Sequence, residues 1–408
     1  MKVCAFIQTP YRDLPAGFEE KYSPVVTPSW GDLGQAEKVH QYYKWTSEEF
    51  LAAAQAGFDA ITNTEHGQNF YDMMPNPNLM MASLATLTEG LDVALMVLGT
   101  TVGKSHQPLR LAEEYAMLDC MSGGRLITGL PLGLSYDANL NYGVSPTTMR
   151  ERYREAHDLI IKAWTEPEVF PWNGKYWQFP MVNLWPRPVQ QPHPPIWVPG
   201  TGNPGTMQWV LDNEYCYTFL SWFGASETAK PVTDRYWETV AAKGKDANPY
   251  RLALLQVVAV SESDSRAEEE YAAHIEYFFQ KCIGRIPVEW MAVPGYIDYY
   301  GLEHIMRDPS DFGLFMQLRE MSYKDLVEAG CVIAGSPATV RDRLNEMITD
   351  LRIGNLLTML QVGSMPHELT LKNIDLFARE VLPHIHNNWE SDGWSHNWWP
   401  KQLVAQHT

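Results

Sequence analysis

The sequence predicts an α/β fold, a (β/α)8 barrel with long insertions after the fourth and seventh strands. Three observations carry that prediction. Short apolar runs alternate with helical stretches along the chain. Several runs are continuously apolar rather than alternating, as strands covered on both faces of a parallel sheet must be. Eight runs occur, each followed by a helix candidate, which is the count a closed barrel requires. An open, doubly wound sheet would need a glycine fingerprint after its first strand. Here that strand runs into Gln8-Thr9-Pro10-Tyr11-Arg12, which has none.

The strand candidates are Val3–Ile7, Ala60–Thr64, Val93–Thr101, Leu126–Leu130, Pro195–Pro199, Cys216–Ser221, Leu252–Val260 and Leu356–Val362. The first helix is expected over Ser47–Ala56, with a Thr46/Ser47 cap ahead of Glu48-Glu49. Pro77–Thr88 starts on a proline, whose missing N–H costs nothing in a first turn. Leu109–Met121 stops at Gly123-Gly124, and Arg150–Trp164 is long and amphipathic. Pro204–Asp212, Thr233–Ala242, Ser265–Gln280, Ser336–Asp350 and Leu369–His384 complete the set, with Ser336 placed to cap its helix. One barrel domain thus covers residues 1–385, with insertions at about 131–194 and 261–355. The stretch 283–315 is rich in Trp, Tyr, Met and Gly, the composition of an apolar lid. A tail, 386–408, carries Trp389, Trp394, Trp398 and Trp399, suited to capping the barrel or to an oligomer contact.

Composition narrows the function. The 408 residues are 45% hydrophobic, enough for a large core, and carry a net charge of −18. Such a chain repels phosphate backbones and anionic membranes, so nucleic-acid and membrane-surface binding are not expected. Five widely spaced cysteines with no Cys-x-x-Cys argue against a disulfide framework or zinc knuckle. With no signal-peptide pattern and no long apolar window, a cytoplasmic protein is expected.

Barrel enzymes place their chemistry where strands end. After strand two stands His66, able to exchange a proton near neutral pH. After strand three, Gly99-Thr100-Thr101-Val102-Gly103 is small enough for a flat ligand to approach the backbone. Beyond strand four, Arg150 and Arg152 open a helix, where the dipole disfavours a cation unless an anion sits nearby. After strand five, Gly200-Thr201-Gly202-Asn203-Pro204-Gly205-Thr206 runs into a helix, a pattern that offers free N–H groups to a phosphate. After strand six, Trp222 could stack on a ring or simply pack. Strand one has no His-x-His for a metal, strand four ends without an acid, and neither a Gly-x-Ser-x-Gly elbow nor His-Glu-x-x-His occurs. One histidine, small residues, hydroxyls and an anion cradle suit a cofactor that brings its own reactivity, with no metal.

These residues together resemble the bacterial luciferase-like flavin-dependent monooxygenases. The strongest pieces are Thr64-Glu65-His66 followed by Asn76-Pro77, the stretch Leu118–Leu126 with its Ser122-Gly123-Gly124-Arg125 core, and Pro192-His193-Pro194-Pro195-Ile196-Trp197-Val198. Leu220-Ser221-Trp222 and Ala334-Gly335-Ser336-Pro337 add to them. The resemblance implies a TIM barrel that binds reduced FMN non-covalently at its C-terminal face. There FMNH2 and O2 would give a C4a-peroxide that oxygenates a small organic substrate, with a separate flavin reductase supplying FMNH2. It further implies His66 as the active-site residue beside the flavin, Thr100 and Thr101 against its ring, and Arg150 or Arg152 on its phosphate. Gly200, Thr201, Gly202 and Thr206 would complete the phosphate site and Trp222 would lie near the ring. Family members commonly form homodimers or homotetramers. The luciferases proper carry a reactive cysteine and an arginine after strand four, where this chain has Leu130-Pro131-Leu132-Gly133. That departure argues against light emission and a long-chain aldehyde. The competing functions are an F420-dependent oxidoreductase on the same fold, a non-catalytic flavin-binding protein, and an unrelated barrel hydrolase.

Overall fold

All eight predicted runs become strands of one closed parallel sheet. In chain order the strands are β1 (Lys2–Phe6), β2 (Ala60–Asn63), β3 (Ala94–Val97), β4 (Leu126–Gly129), β5 (Phe170–Asn173), β6 (Gln178–Val182), β7 (Ile196–Gly200), β8 (Cys216–Phe219), β9 (Leu252–Val260), β10 (Val332–Gly335) and β11 (Asn355–Met359). The barrel order is β11-β1-β2-β3-β4-β7-β8-β9, and β9 closes it by pairing with both β8 and β11. This computed structural model describes residues 1–22, 28–104, 107–134, 136–220, 229–286, 293 and 317–404. Trp222 and nearly all of the 283–315 segment lie outside the described residues.

Side-chain alternation along the strands builds two apolar layers. Cys4, Phe6, Met96, Trp197, Leu357 and Met359 fill the barrel interior. Val3, Ala5, Leu95, Val97, Val198 and Leu356 point outward and meet the helices. The helices of six or more residues, among those described, are α1 (Ala36–Gln55), α2 (Pro77–Leu87), α3 (Pro108–Met121), α4 (Pro146–Thr165), α5 (Pro204–Asp212), α6 (Ala229–Ala242), α7 (Asp264–Glu276), α8 (Tyr323–Glu328), α9 (Pro337–Asp350) and α10 (His367–Glu380). The Ser-Gly-Gly-Arg motif is a structural joint. Gly123 and Gly124 take φ of 65° and 85°, which end α3 in the left-handed region. The turn delivers Arg125 into the wall, where its guanidinium donates to the carbonyls of Ser122, Val93 and Ala85 and to Thr88 Oγ1.

Three features differ from the sequence expectation. Helix α1 starts eleven residues before Ser47, and the expected cap residue Thr46 is a buried interior position bonded to Thr9 Oγ1 at 3.2 Å. The first insertion contains an antiparallel hairpin, β5–β6, whose outward residues hide its apolar signal. The second contains β10, which extends the sheet by pairing with the last four residues of β9. That pairing explains why β9 has nine residues where the other barrel strands have four or five.

The tryptophan tail closes the barrel's N-terminal end. Trp399 Nε1 donates to Asn355 Oδ1 at 2.9 Å, and its ring meets Trp197 edge-on at 5.7 Å. Trp197 Nε1 donates to the Trp398 carbonyl at 2.9 Å, and Trp398 Nε1 to the Glu214 carbonyl at 2.9 Å. Replacing Trp399 with alanine leaves a cavity under β7 and β11 and orphans Asn355 Oδ1. The expected loss is about 3–5 kcal/mol in denaturant unfolding. An unchanged midpoint would show that the tail does not brace the barrel.

Candidate functional site

The C-terminal ends of the strands converge on a mouth, and His66 stands in it just past β2. Its backbone is held by an isolated bridge, His66 N–H donating to the Met74 carbonyl at 3.1 Å. Its Nδ1 lies 2.7 Å from Asp137 Oδ2 and 2.6 Å from the Tyr71 hydroxyl. The other Asp137 oxygen accepts from Gly67 N–H at 3.1 Å, so the carboxylate is fixed at both ends. Asp137 comes from a π-helical turn, Tyr136–Leu140, in the first insertion. A carboxylate on Nδ1 pins the Nδ1–H tautomer and leaves Nε2 as the basic nitrogen. No protein partner for Nε2 is found among the described residues.

Electrostatics favour a protonatable imidazole. Burial presses the His66 pKa down, but Asp137, helped by Asp72 and Glu65, more than offsets it, and the net shift is upward. Burial likewise pushes the Asp72 carboxyl up to about 6, although His66 and the Thr9 N–H pull the other way. Beside them Glu65 forms a buried ion pair with Lys104 at 2.7 Å and accepts from Thr101 N–H at 2.7 Å. Burial raises the Glu65 pKa against the pull of Lys104. Lys104 also sits 4.0 Å over the Tyr142 ring.

The strand-three exit is anchored rather than loose. The Leu98–Gly99 peptide is cis. Thr100 N–H donates to the Tyr115 hydroxyl at 3.1 Å, and Thr101 is buried. The strand-five loop runs into a helix as expected, but the Gly202 and Thr206 N–H groups are already engaged within the protein rather than free. Gly202 takes φ of 103°, a region open to glycine, and its N–H donates to the Tyr217 hydroxyl at 2.8 Å. Asn203 caps α5 by accepting from Thr206 N–H at 3.0 Å, while Gly200 and Thr201 lead into the turn.

The two candidate arginines part company. Arg152 donates Nε to the Gly103 carbonyl at 3.1 Å and stacks on Trp177 and Tyr176 of the hairpin. Neither opens the helix, because α4 starts at Pro146 and places both in its second turn; Arg150 lies one helical turn before Arg154, on the same face. Arg154 was not singled out by the sequence. Its guanidinium lies 3.9 Å over Trp209 of α5, and its buried Nη1 has no hydrogen-bond partner among the described residues. A desolvated, unpartnered guanidinium N–H beside the helix that the glycine loop opens fits an anionic group. Asp137 and Tyr71 were also missed, because their link to His66 is made across the fold. Among the described residues no group of three or more His, Cys, Asp and Glu could hold a metal ion, and no helix is long and apolar enough to cross a membrane.

Comparison with known proteins gives this geometry a context. The family model for luciferase-like monooxygenases matches residues 25–353. The chain belongs to that family of flavin-dependent monooxygenases. Among relatives of this luciferase-like protein, the oxygenase component of flavin-dependent trigonelline monooxygenase from Acinetobacter baylyi is 29% identical over 231 residues, 56% of this chain and 62% of that protein. The 2,5-diketocamphane 1,2-monooxygenase 2 of Pseudomonas putida is 24% identical over 365 residues, 85% of this chain and 95% of that protein. The fold is shared with the monooxygenase RslO1 of Streptomyces bottropensis, at a TM-score of 0.66 and 20% identity over 94% of this chain and all of that one. It is shared also with the oxygenating constituent of 3,6-diketocamphane monooxygenase from Pseudomonas putida, solved with FMN, at a TM-score of 0.65 and 19% identity over 94% of this chain and 98% of that one.

The His66 cluster makes a pH prediction. His66 and Asp72 both bind protons more tightly folded than unfolded. Their stabilisation is complete below the unfolded values, 6.5 and 3.8, and is lost as pH rises through the folded ones. Asp137→Asn removes the charge and leaves burial dominant, so the His66 pKa falls below 6.5, as read by NMR titration of the imidazole. Asp72→Asn flattens the fall of the melting temperature between about pH 4 and 6.

Proposed function

We propose that this luciferase-like protein is the oxygenase of a two-component system, using reduced FMN and O2 to oxygenate a small, mainly apolar organic substrate. The observation that carries the reading is His66, pinned at Nδ1 by Asp137 with no partner for Nε2 among the described residues, together with an arginine whose Nη1 is unpartnered and which packs on Trp209 of the helix that the glycine loop opens. The residues fit FMN. Arg150, Arg154 and the Gly200, Thr201, Gly202 and Thr206 segment would hold its phosphate, and the Thr100–Thr101 exit would line its ring. Arg152, engaged with Gly103 and the hairpin, braces α4 instead. Reduced flavin supplies two electrons and activates dioxygen. His66 holds or delivers a proton at Nε2 while Asp137 balances the imidazolium charge, and Tyr71 keeps the ring oriented. The buried Glu65–Lys104 pair fixes Thr101 and adds no net charge to the mouth. A separate flavin reductase would deliver FMNH2, and homodimers or homotetramers would be the working form.

The competing reading is F420-dependent hydride transfer, since the F420-dependent secondary alcohol dehydrogenase shares the fold at a TM-score of 0.61. Anaerobic titration with FMNH2 followed by an oxygen pulse separates the two. The oxygenase reading expects tight FMNH2 binding and a transient flavin–oxygen absorbance. Tight F420 binding with turnover indifferent to oxygen would replace it. Arg154→Met is expected to weaken FMN by about 1.5–3 kcal/mol, roughly 10- to 150-fold, with riboflavin affinity unchanged. FMN and riboflavin binding equally well to the wild type would remove the phosphate assignment.

A further inference from the structure

The upper barrel interior holds an amide with no partners. Along β1, Cys4 and Phe6 face inward while Val3, Ala5 and Ile7 face the helices, so Gln8 continues the inward series. On the neighbouring β11, Leu357 and Met359 face inward and Gln361 continues them. Phe6 pairs with Met359, and the same register carried two residues onward sets Gln8 beside Gln361. Gln8 is 1% exposed and Gln361 0%. Neither Nε2 nor Oε1 of Gln8 has a hydrogen-bond partner among the described residues. Gln361 donates Nε2 to the Gly363 carbonyl at 3.0 Å, which fixes its orientation and leaves Oε1 unpartnered. The buried hydroxyl of Thr62, level with Phe6 on β2, is unpartnered too.

Other buried amides keep at least one partner: Asn63 and Asn78 each donate through Nδ2 and leave only Oδ1 open. Asn355 donates to two carbonyls and accepts from Trp399, and Asn373 donates to two carbonyls and accepts from Val260 N–H. A buried amide left wholly unpaired is costly and calls for a guest. The open groups are two amide oxygens, one amide NH2 and one hydroxyl, so the guest must offer a donor beside an acceptor. A carboxylate, which only accepts, does not satisfy the two open amide oxygens. The cations at this end are charge-paired, Arg12 with Glu49 and Lys104 with Glu65, although Arg12 Nε has no hydrogen-bond partner among the described residues.

We propose that Gln8 and Gln361 form a subsite for an amide edge, a C=O beside an N–H, carried by a neutral ligand. The proposal rests on the oxygenase reading only in taking this end of the barrel as the place where substrate sits. Two sources present that edge: a carboxamide or lactam of the substrate, and the pyrimidine edge of a flavin. Benzamide and benzoate are the probes, titrated into the full flavin-free chain by ligand-observed NMR. Riboflavin and FMN are followed by fluorescence quenching.

Benzamide is expected to bind at least tenfold more tightly than benzoate. Gln8→Leu and Gln361→Leu should each weaken benzamide about tenfold, with the melting temperature unchanged or raised. If the leucine variants instead weaken riboflavin and FMN by one common factor and leave benzamide untouched, the edge is the flavin's. A chain that binds no flavin but still discriminates the probes keeps the subsite and loses only the oxygenase reading. Equal or absent binding of the two probes, with flavin affinity indifferent to both substitutions, overturns the proposal.

Discussion

Closure of the parallel sheet is the constraint on which the rest of the molecule depends. Because β9 pairs with β8 on one side and β11 on the other, the eight barrel strands close on one another, and all of them point the same way. All C-terminal ends therefore meet at one mouth. Residues far apart in sequence, such as His66 and Asp137, become neighbours there without any local signal. Closure also leaves one opposite end to be sealed, and the tail from Trp389 onward does so with indole N–H donors aimed at main-chain carbonyls and Asn355.

The mouth of this acidic chain is built from charges that cancel locally. Glu65 with Lys104, His66 with Asp137, and Arg12 with Glu49 each bring opposite partners to 3.1 Å or less. Desolvation takes back much of what such pairs gain in stability, so their consequence is geometric. Glu65 spends its second oxygen on Thr101 N–H, and Asp137 spends its own on Gly67 N–H. Glu49 is shared between Arg12 and His367, which joins the exits of the first and last strands to α1. Orientation of the strand exits is thereby set before any ligand arrives, which is what a preformed site requires.

How far this was legible in the sequence follows from the range of each signal. The barrel strands are continuous apolar runs and could be read locally. So could Pro204–Asp212, which proline opens and whose bounds the structure keeps. The hairpin could not, since Pro171, Gln178 and Pro180 break both its alternation and its apolar character. Nor could β10, four residues whose strand character comes from lying against the second half of β9. At the site, His66 and the strand-five loop were visible because position after a strand is itself the signal. Arg154 was obscured by its neighbours, because a run of three arginines in five residues gives no face without the helix register. Gln8 was visible only as a residue of the first strand's exit, and its missing partners are a fact of three-dimensional packing.

Hydrogen-bond satisfaction divides the molecule by function. At the sealed end, Asn355, Trp197, Trp398 and Trp399 form a closed set of donors and acceptors, as a region with only a structural task should. Arg125, buried in the wall, spends its guanidinium on four oxygens. Toward the mouth the pattern reverses: Gln8, Gln361 and Arg154 are desolvated with atoms left unpaired. The same chain that caps α5 with Asn203 and stoppers its floor with indoles had polar chemistry enough to pair these groups. These open groups are what the two proposed sites draw on, Arg154 for an anion and the Gln8–Gln361 pair for a neutral amide edge.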